Sequence, residues 1–310
     1  MAQYTTLSLT EVANIVSHYA IGVPTELQEM SEGYGNSNFK LMTSKGVFLL
    51  KICDEKTTDE LQLQISLLEH LQEHGYPTPY PIPQKNGESL HLSQDYRVII
   101  YPFLNGATPK PSQCVLKQIG EALGRLHRIS PLMELPRFPM GISQIVPFIK
   151  EVEETDFKEH PFSLWLESEL EWMIPELEKP LPTGLLHGDL FLDNTLFEGE
   201  KMVSIIDFEE GCHDTLLIDI AMTIIGCCYT ENHQLEVGLV HSFLDSYNAT
   251  RPISDDEYKG IDSYVHFAAL SIAFWRFRQF NIRRPDKNSA DKYQEMILRS
   301  SNWQTLNTYN

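Results

Sequence analysis

His187-Gly188-Asp189-Leu190-Phe191-Leu192-Asp193-Asn194, followed after a short turn by Ile205-Ile206-Asp207-Phe208, is the stretch on which the reading of this chain depends. It sets an aspartate at 189, an asparagine five positions later and a second aspartate thirteen beyond that. Thr195-Leu196-Phe197, the polar turn Glu198-Gly199-Glu200-Lys201 and the apolar run Val203-Ser204-Ile205-Ile206 lie between them. Two short strands joined by a tight turn would bring Asn194 and Asp207 together. HGD and DN are also common turn sequences. Here, however, a histidine, an aspartate, an asparagine at a fixed offset and a strand-terminal aspartate before phenylalanine coincide.

Phosphoryl transfer requires such a set: one carboxylate to orient a hydroxyl, and two oxygen ligands to hold Mg2+ on ATP. The pattern H-x-D-x-x-x-x-N, then an apolar strand ending in D-F, is close to the catalytic set of protein kinases. On this reading Asp189 is the catalytic carboxylate, while Asn194 and Asp207 are the metal ligands. His187 is read as structural support that bonds backbone and holds the loop; Asp189 is better placed for the hydroxyl. Asp193 adjoins the site, as a solvated turn residue or a substrate contact. Asp219 lies in an apolar helix, where a carboxylate needs partners, and the exposed amides of the loop would supply them.

The chain has 310 residues, 42% hydrophobic and 22% charged, the balance of a globular protein with one large domain or two modest ones. Its 24 basic and 43 acidic residues give a net charge of −19, which opposes nucleic-acid phosphates and anionic membranes. A nucleotide would therefore be met by locally placed cations and metal. Five cysteines show no C-x-x-C pair and no metal-like spacing with histidine. The odd count suits reduced thiols, and the first residues lack the basic region of a signal peptide. The most apolar stretch, Leu216 to Tyr229, is too short for a membrane span and carries Asp219. A cytoplasmic protein, monomeric or homodimeric, with neither nucleic-acid nor membrane partners is the expectation.

Along the chain, Ser8-Leu9-Thr10-Glu11 reads as a capping box, with Leu7 and Val12 as its hydrophobic staple. Residues 38–42 and 47–52 read as a hairpin turning at Thr43-Ser44-Lys45-Gly46. A helix from about Asp59 turns Leu61, Ile65, Leu68 and Leu71 inward. Residues 89–92 and 97–101 form a second strand pair about Gln94-Asp95. Beyond Pro102-Phe103-Leu104-Asn105-Gly106 the patterns turn helical: Gln113 to Ile129, Ser163 to Ile174 and, after the opening segment, only helices, notably Tyr264 to Phe280. This gives an α+β protein with a β-rich N-lobe, 1–101, expected to bind nucleotide. A connector, 102–106, leads to a mostly helical C-lobe, 107–310, expected to carry catalysis and the acceptor. ATP is expected in the cleft.

Gly33-Tyr34-Gly35-Asn36-Ser37-Asn38 precedes the first hairpin strand; glycines there let backbone amides approach phosphates, and the polar side chains add donors. Lys51 ends an apolar strand, where its ammonium could pair with the α- and β-phosphates and be held by a helix residue. Glu60, Gln64 and Glu69 are the candidates for that partner.

These residues carry a resemblance. The catalytic segment, with Leu68-Glu69-His70-Leu71, Gly124-Arg125-Leu126-His127 and Phe267-Ala268-Ala269-Leu270, resembles the aminoglycoside phosphotransferase/choline kinase superfamily, and within it the bacterial type II homoserine kinases. The resemblance covers nearly the whole chain. It implies a two-lobed protein-kinase-like fold and ATP-dependent phosphorylation of a small-molecule hydroxyl, with Mg2+ as the metal. It further implies that Gly33, Gly35, Asn36, Ser37, Asn38 and Lys51 handle phosphates and that Tyr101, Phe103 and Leu104 seat adenine. Homoserine is the first acceptor expected, its carboxylate suited to an arginine such as Arg276. The chain departs from the homoserine kinase pattern at Glu209-Glu210-Gly211, where an aromatic residue and an apolar stretch are typical, and at Ser271, where an arginine is. Asp193, Glu209 and Glu210 would suit a cationic or polyhydroxyl acceptor instead, such as an aminoglycoside, choline, ethanolamine or an amino sugar. A non-catalytic, pseudokinase-like binding module is a third reading, opposed by the intact Asp189, Asn194 and Asp207.

Overall fold

Strand alternation and capping chemistry build the first part of the chain. The structure is a computed structural model that describes residues 7–30, 36–93, 96–131, 134–152 and 155–307, the side chains of 304–307 excepted. The chain divides into two compact units. One runs to Gly106 and takes in Val203–Ile206; the other comprises Ala107–Met202 and the chain from Asp207 onward.

In the first unit, helix α1 (Leu9–Ser17) starts at Ser8, which accepts from the Glu11 amide at 3.3 Å while the Glu11 carboxylate accepts from the Ser8 amide at 2.8 Å. Five strands follow around helix α2 (Thr58–Glu73): β1 (Pro24–Met30), β2 (Asn36–Thr43), β3 (Gly46–Cys53), β4 (Leu90–Leu92) and β5 (Arg97–Pro102). They form an antiparallel sheet in the order β1-β2-β3-β5-β4. Val12, Ile15 and Val16 of α1 cluster with Phe39, Leu41 and Leu50 of the sheet in a buried core. Burial of such side chains contributes roughly 1.5–3 kcal/mol each. Strand β1 has no counterpart in the apolar pattern because it is a polar edge strand: Glu26, Gln28 and Glu29 alternate with little that is buried. Helix α2 is capped by a second box, Thr57 with Glu60, which fixes its start one residue before Asp59. The turn at Gln94-Asp95 lies outside the described residues. Ser204 and Ile205 join this unit through the Pro77 carbonyl, which accepts from the Ser204 hydroxyl at 3.1 Å and the Ile205 amide at 2.8 Å.

The second unit is mostly helical. It contains α3 (Gln113–Leu126), α4 (Ile142–Val152), α5 (Pro161–Leu177), α6 (Leu217–Cys227), α7 (Val237–Thr250), α8 (Asp255–Phe277) and α9 (Gln294–Asn307). Helix α3 lies against α7 through Gly120 and Gly124: a Cβ at Gly120 would run into the Phe243 carbonyl oxygen, and one at Gly124 would lie 2.8 Å from Thr250 Cβ. Helix α6 is buried almost all round, as its unbroken apolar sequence demands. The expectation of helices alone beyond Phe208 is corrected here. Cys212–Thr215 forms a strand, β9, paired antiparallel with Thr183–Leu186, β6, in the register Leu186↔Cys212. Cys-His-Asp-Thr has no strand signature of its own; its extended state comes from pairing with β6. Strands β7 (Thr195–Glu198) and β8 (Lys201–Ile205) pair across the Gly199 turn. Among the described residues no helix is long and apolar enough to cross a membrane.

Candidate active site

The loop that leaves β6 is fixed from below by one buried carboxylate. Asp219, in the first turn of α6, accepts from the His187 amide through Oδ2 at 2.7 Å and from the Gly188 amide through Oδ1 at 2.8 Å. Its Oδ2 also faces His127 Nε2 at 3.2 Å. The His187 ring turns back on the loop: Nδ1 accepts from the Asp189 amide at 3.2 Å, and its centroid lies 4.6 Å from that of the Phe208 ring, tilted by 57°. Gly188 has φ +83°, and a Cβ there would sit 2.5 Å from the Glu210 carbonyl oxygen. Only glycine allows the loop and the Phe208–Glu210 turn to approach so closely. Phe191 covers Gly226 near the end of α6, where a Cβ would come within 2.6 Å of the ring.

Within this frame the Asn194 side chain donates to the Asp189 carbonyl at 2.6 Å and to Asp189 Oδ2 at 3.1 Å. An amide that donates through Nδ2 keeps Oδ1 as an acceptor or metal ligand. Asp207 adopts φ 68° and ψ 56°, a left-handed conformation that costs a non-glycine residue about 1–2 kcal/mol. Such an outlier at the end of an apolar strand is held by its surroundings and points to function. Asp189 is half-buried. Burial first, then the charges of Asp193, Asp207 and Glu210, raise its carboxyl well above the usual range, against the opposing bond from Asn194. Asp189, Asp193, Asn194, Asp207 and Glu210 thus stand in one electrostatic group, with Glu209 in the same short turn as Glu210.

Arg276 is committed to α9. Its Nη1 donates to Glu295 Oε2 at 2.7 Å and to the Lys292 carbonyl at 3.0 Å, and Glu295 is shared with Arg299 at 2.6 Å. The two arginines together lower the Glu295 carboxyl, against burial, which raises it.

In the first unit, Lys51 on β3 stands between Asn38 of β2 and Ile99 of β5 in register. Ser37 donates to Asp54 Oδ2 at 2.9 Å, and Asn36 is buried beside it on β2. Tyr101 is buried in β5; Phe103, half-buried, carries Lys40 Nζ 4.6 Å from its ring centroid, next to half-buried Leu104. Gly33 and Gly35 lie outside the described residues. Of the three residues considered as partners for Lys51, Glu60 closes the α2 cap and Glu69 accepts from Ser89 at 3.3 Å. Gln64 is buried with no hydrogen bond to its Oε1 among the described residues.

The sequence held His127 only as part of a motif and assigned it no role, yet the structure places it on Asp219. The signal that could have found it is spacing: His127 follows Leu116, Ile119 and Leu123 on the apolar face of an amphipathic helix, where a histidine needs a partner. Asp214, in β9, accepts a two-pronged contact from Arg137 at 2.8 Å on each oxygen.

A five-stranded antiparallel unit, a mostly helical unit and this loop define a protein-kinase-like phosphotransferase. The profile described as "Phosphotransferase enzyme family" matches residues 26–253. A homoserine kinase of Bradyrhizobium sp. (strain ORS 278) is 31% identical over 89% of this chain and 87% of its own length. The solved structure of a microcompartment-associated aminopropanol kinase superposes with a TM-score of 0.76 at 16% identity, covering 97% of this chain and 98% of that one. Amicoumacin kinase in complex with AMP-PNP, Ca2+ and Ami superposes at 0.74 and 12% identity, covering 96% and 93%. The chain belongs to the phosphotransferase enzyme family and is an ATP-dependent small-molecule kinase.

Proposed function

We propose that this enzyme transfers the γ-phosphoryl group of ATP to the side-chain hydroxyl of homoserine. The observation that carries the acceptor is the 31% identity, over most of both chains, to a protein named homoserine kinase. The chemistry is supported by the grouping of Asp189, Asn194 and Asp207.

In this reading Asp189 orients the acceptor hydroxyl and takes its proton as the oxygen bonds to the γ-phosphorus. The bond to the β–γ bridging oxygen breaks, and ADP leaves with that electron pair. Asn194 Oδ1 and the Asp207 carboxylate would hold Mg2+. Both are hard oxygen donors, which fit that ion. No group of three or more His, Cys, Asp or Glu side chains able to hold a metal exists among the described residues. Such an ion draws its other ligands from phosphates and water. The bound cation would neutralise charge on the phosphates and offset the repulsion around Asp189.

Lys51 and residues 33–38 would meet the phosphates, with Gln64 as the uncharged acceptor for the Lys51 ammonium, and Tyr101, Phe103 and Leu104 would seat adenine. Residues 1–101 then form the nucleotide-binding lobe, 102–106 the connector and 107–310 the catalytic and acceptor-binding lobe, in a protein of the cytoplasm. Homoserine is a zwitterion, and Asp193, Glu209 and Glu210 offer its ammonium group carboxylates. Arg276 would meet its carboxylate only by sharing the Glu295 pair.

The excess of carboxylates around Asp189 favours a second reading, an acceptor that is purely cationic, such as an amino alcohol. Coupled ADP release with L-homoserine, choline, ethanolamine, aminopropanol and an aminoglycoside separates the two. The expected result is turnover of L-homoserine above the rest; no turnover of it overturns the proposal.

A further inference from the structure

Asp219 is the end of a polar chain that crosses the interior of the second unit. It begins at the start of α8, where Glu257 accepts from Ser254 through Oε2 and from Arg251 Nη1 through Oε1 at 2.6 Å. The same Arg251 nitrogen donates to Tyr247 Oη at 3.2 Å. Tyr247 Oη lies 2.7 Å from His127 Nδ1, and His127 Nε2 faces Asp219 Oδ2 at 3.2 Å. From there the amides of His187 and Gly188 complete the path to the residue before Asp189. Tyr247, the His127 side chain and Asp219 have no exposed surface.

The direction of the bonds follows from what each group can do. A guanidinium only donates, so the Tyr247 hydroxyl accepts from Arg251 and sends its own proton to His127 Nδ1. With Nδ1 accepting, neutral His127 carries its proton on Nε2, aimed at Asp219. Burial, the largest influence, and the Arg251 charge push the imidazole toward its neutral form, against Asp219 and Glu257, which favour the cation. Without the Tyr247 hydroxyl the other tautomer becomes available. It would turn a nitrogen lone pair toward the Asp219 carboxylate.

We propose that Arg251 and Tyr247 are positioning residues. They hold His127 in its Nε2–H form, and through it they fix the Asp219 carboxylate that sets the loop carrying Asp189. The kinetic part rests on the reading of Asp189 as the catalytic carboxylate.

The test uses the full chain with ring-15N histidine and two variants, Tyr247→Phe and Arg251→Lys. Long-range proton–nitrogen correlation, assigned with His127→Gln, should show His127 as the Nε2–H tautomer in the wild type. Tyr247→Phe should shift it toward a mixture and lower kcat about 10- to 100-fold, the size expected when a reacting group is misplaced by a fraction of an ångström to an ångström. KM for ATP should stay unchanged, and the melting temperature should stay close to wild type. Arg251→Lys, which keeps a cationic donor, should recover the tautomer and most of kcat. Wild-type tautomer and kcat in Tyr247→Phe overturn the proposal, as does a loss of kcat that merely follows a loss of folded protein. Should Asp189→Asn turn over normally, the reading beneath fails, while the His127 tautomer still decides this one.

Discussion

Gly188→Ala adds one methyl group where the structure has no room for it. The residue must hold φ +83°, which costs an L-residue about 1–2 kcal/mol. Its Cβ would meet the Glu210 carbonyl oxygen at 2.5 Å, ~0.9 Å inside ordinary contact. That oxygen is backbone, in a turn that starts from the left-handed Asp207, so no side chain can simply swing aside. Overpacking of this kind costs about 1–3 kcal/mol more. Together the two terms give a loss of roughly 2–5 kcal/mol, or a fall in melting temperature of about 5–15 °C for a unit of this size. Because the turn carries Asp207, turnover should fall about 100-fold. Gly199→Ala is the matched control: its φ is +61°, but nothing lies within 4 Å of its Cβ. It should lose only the conformational term, about 1–2 kcal/mol, and keep its activity. Calorimetry and coupled ADP release on both variants decide the matter. Equal losses of stability and activity in the two would refute the argument that Gly188 is required by close approach.

Asp189→Asn should reduce turnover about 100- to 10,000-fold while leaving ATP affinity near wild type, measured by titration calorimetry. The same variant should melt a few degrees higher than wild type without nucleotide at neutral pH, since it removes a carboxyl that burial and three acidic neighbours push upward. The sign is fixed by linkage: a carboxyl raised in the fold keeps its proton while the unfolded chain has lost it, so stability falls as pH rises through that window. The advantage of asparagine should therefore vanish below the ordinary aspartate value, and an advantage that persists at pH 3 would contradict the cause given. Asp207→Ala should weaken nucleotide binding only when a divalent cation is present, about 10-fold or more; equal binding with and without the cation would remove Asp207 from the metal ligands. Gly120→Ala should lower the melting temperature despite the better helix propensity of alanine, because α3 must move off the Phe243 carbonyl of α7; a rise would show that the helices can separate without cost.

What the sequence made readable follows from where each constraint acts. The groups proposed to react sit within one short segment, since a loop and a strand end must present fixed residue types at fixed offsets, so Asp189, Asn194 and Asp207 could be singled out together. The buried Asp219 could be assigned to the loop amides by need alone: a carboxylate inside an apolar helix must be satisfied, and few backbone donors lie unpaired nearby. Strand β1 was hidden because an edge strand sheds its apolar pattern, and β9 because four polar residues become a strand only beside β6. Glu60, weighed as a partner for Lys51, belongs to a helix cap that its own sequence, Thr57 to Glu60, spells out.

The polar chain from Glu257 to Asp219 shows the limit most clearly. Tyr247 and Arg251 are one helical turn apart, a spacing that can be read locally, but His127 lies 120 positions from Tyr247 and 92 from Asp219. Their meeting depends on α3 lying close to α7, and that depends on Gly120 and Gly124, which carry no chemistry. A reaction is therefore legible where its groups are consecutive, and its supporting shell is legible only through the packing residues that let distant helices touch. The same reasoning explains why the reaction reads more readily than its acceptor. Asp193, Glu209, Glu210 and Arg276 come from a loop, a turn and a late helix, and Arg276 already answers to Glu295. A residue whose charge is spoken for by one partner in the sequence can serve another only by sharing it, and no spacing along the chain reveals that competition.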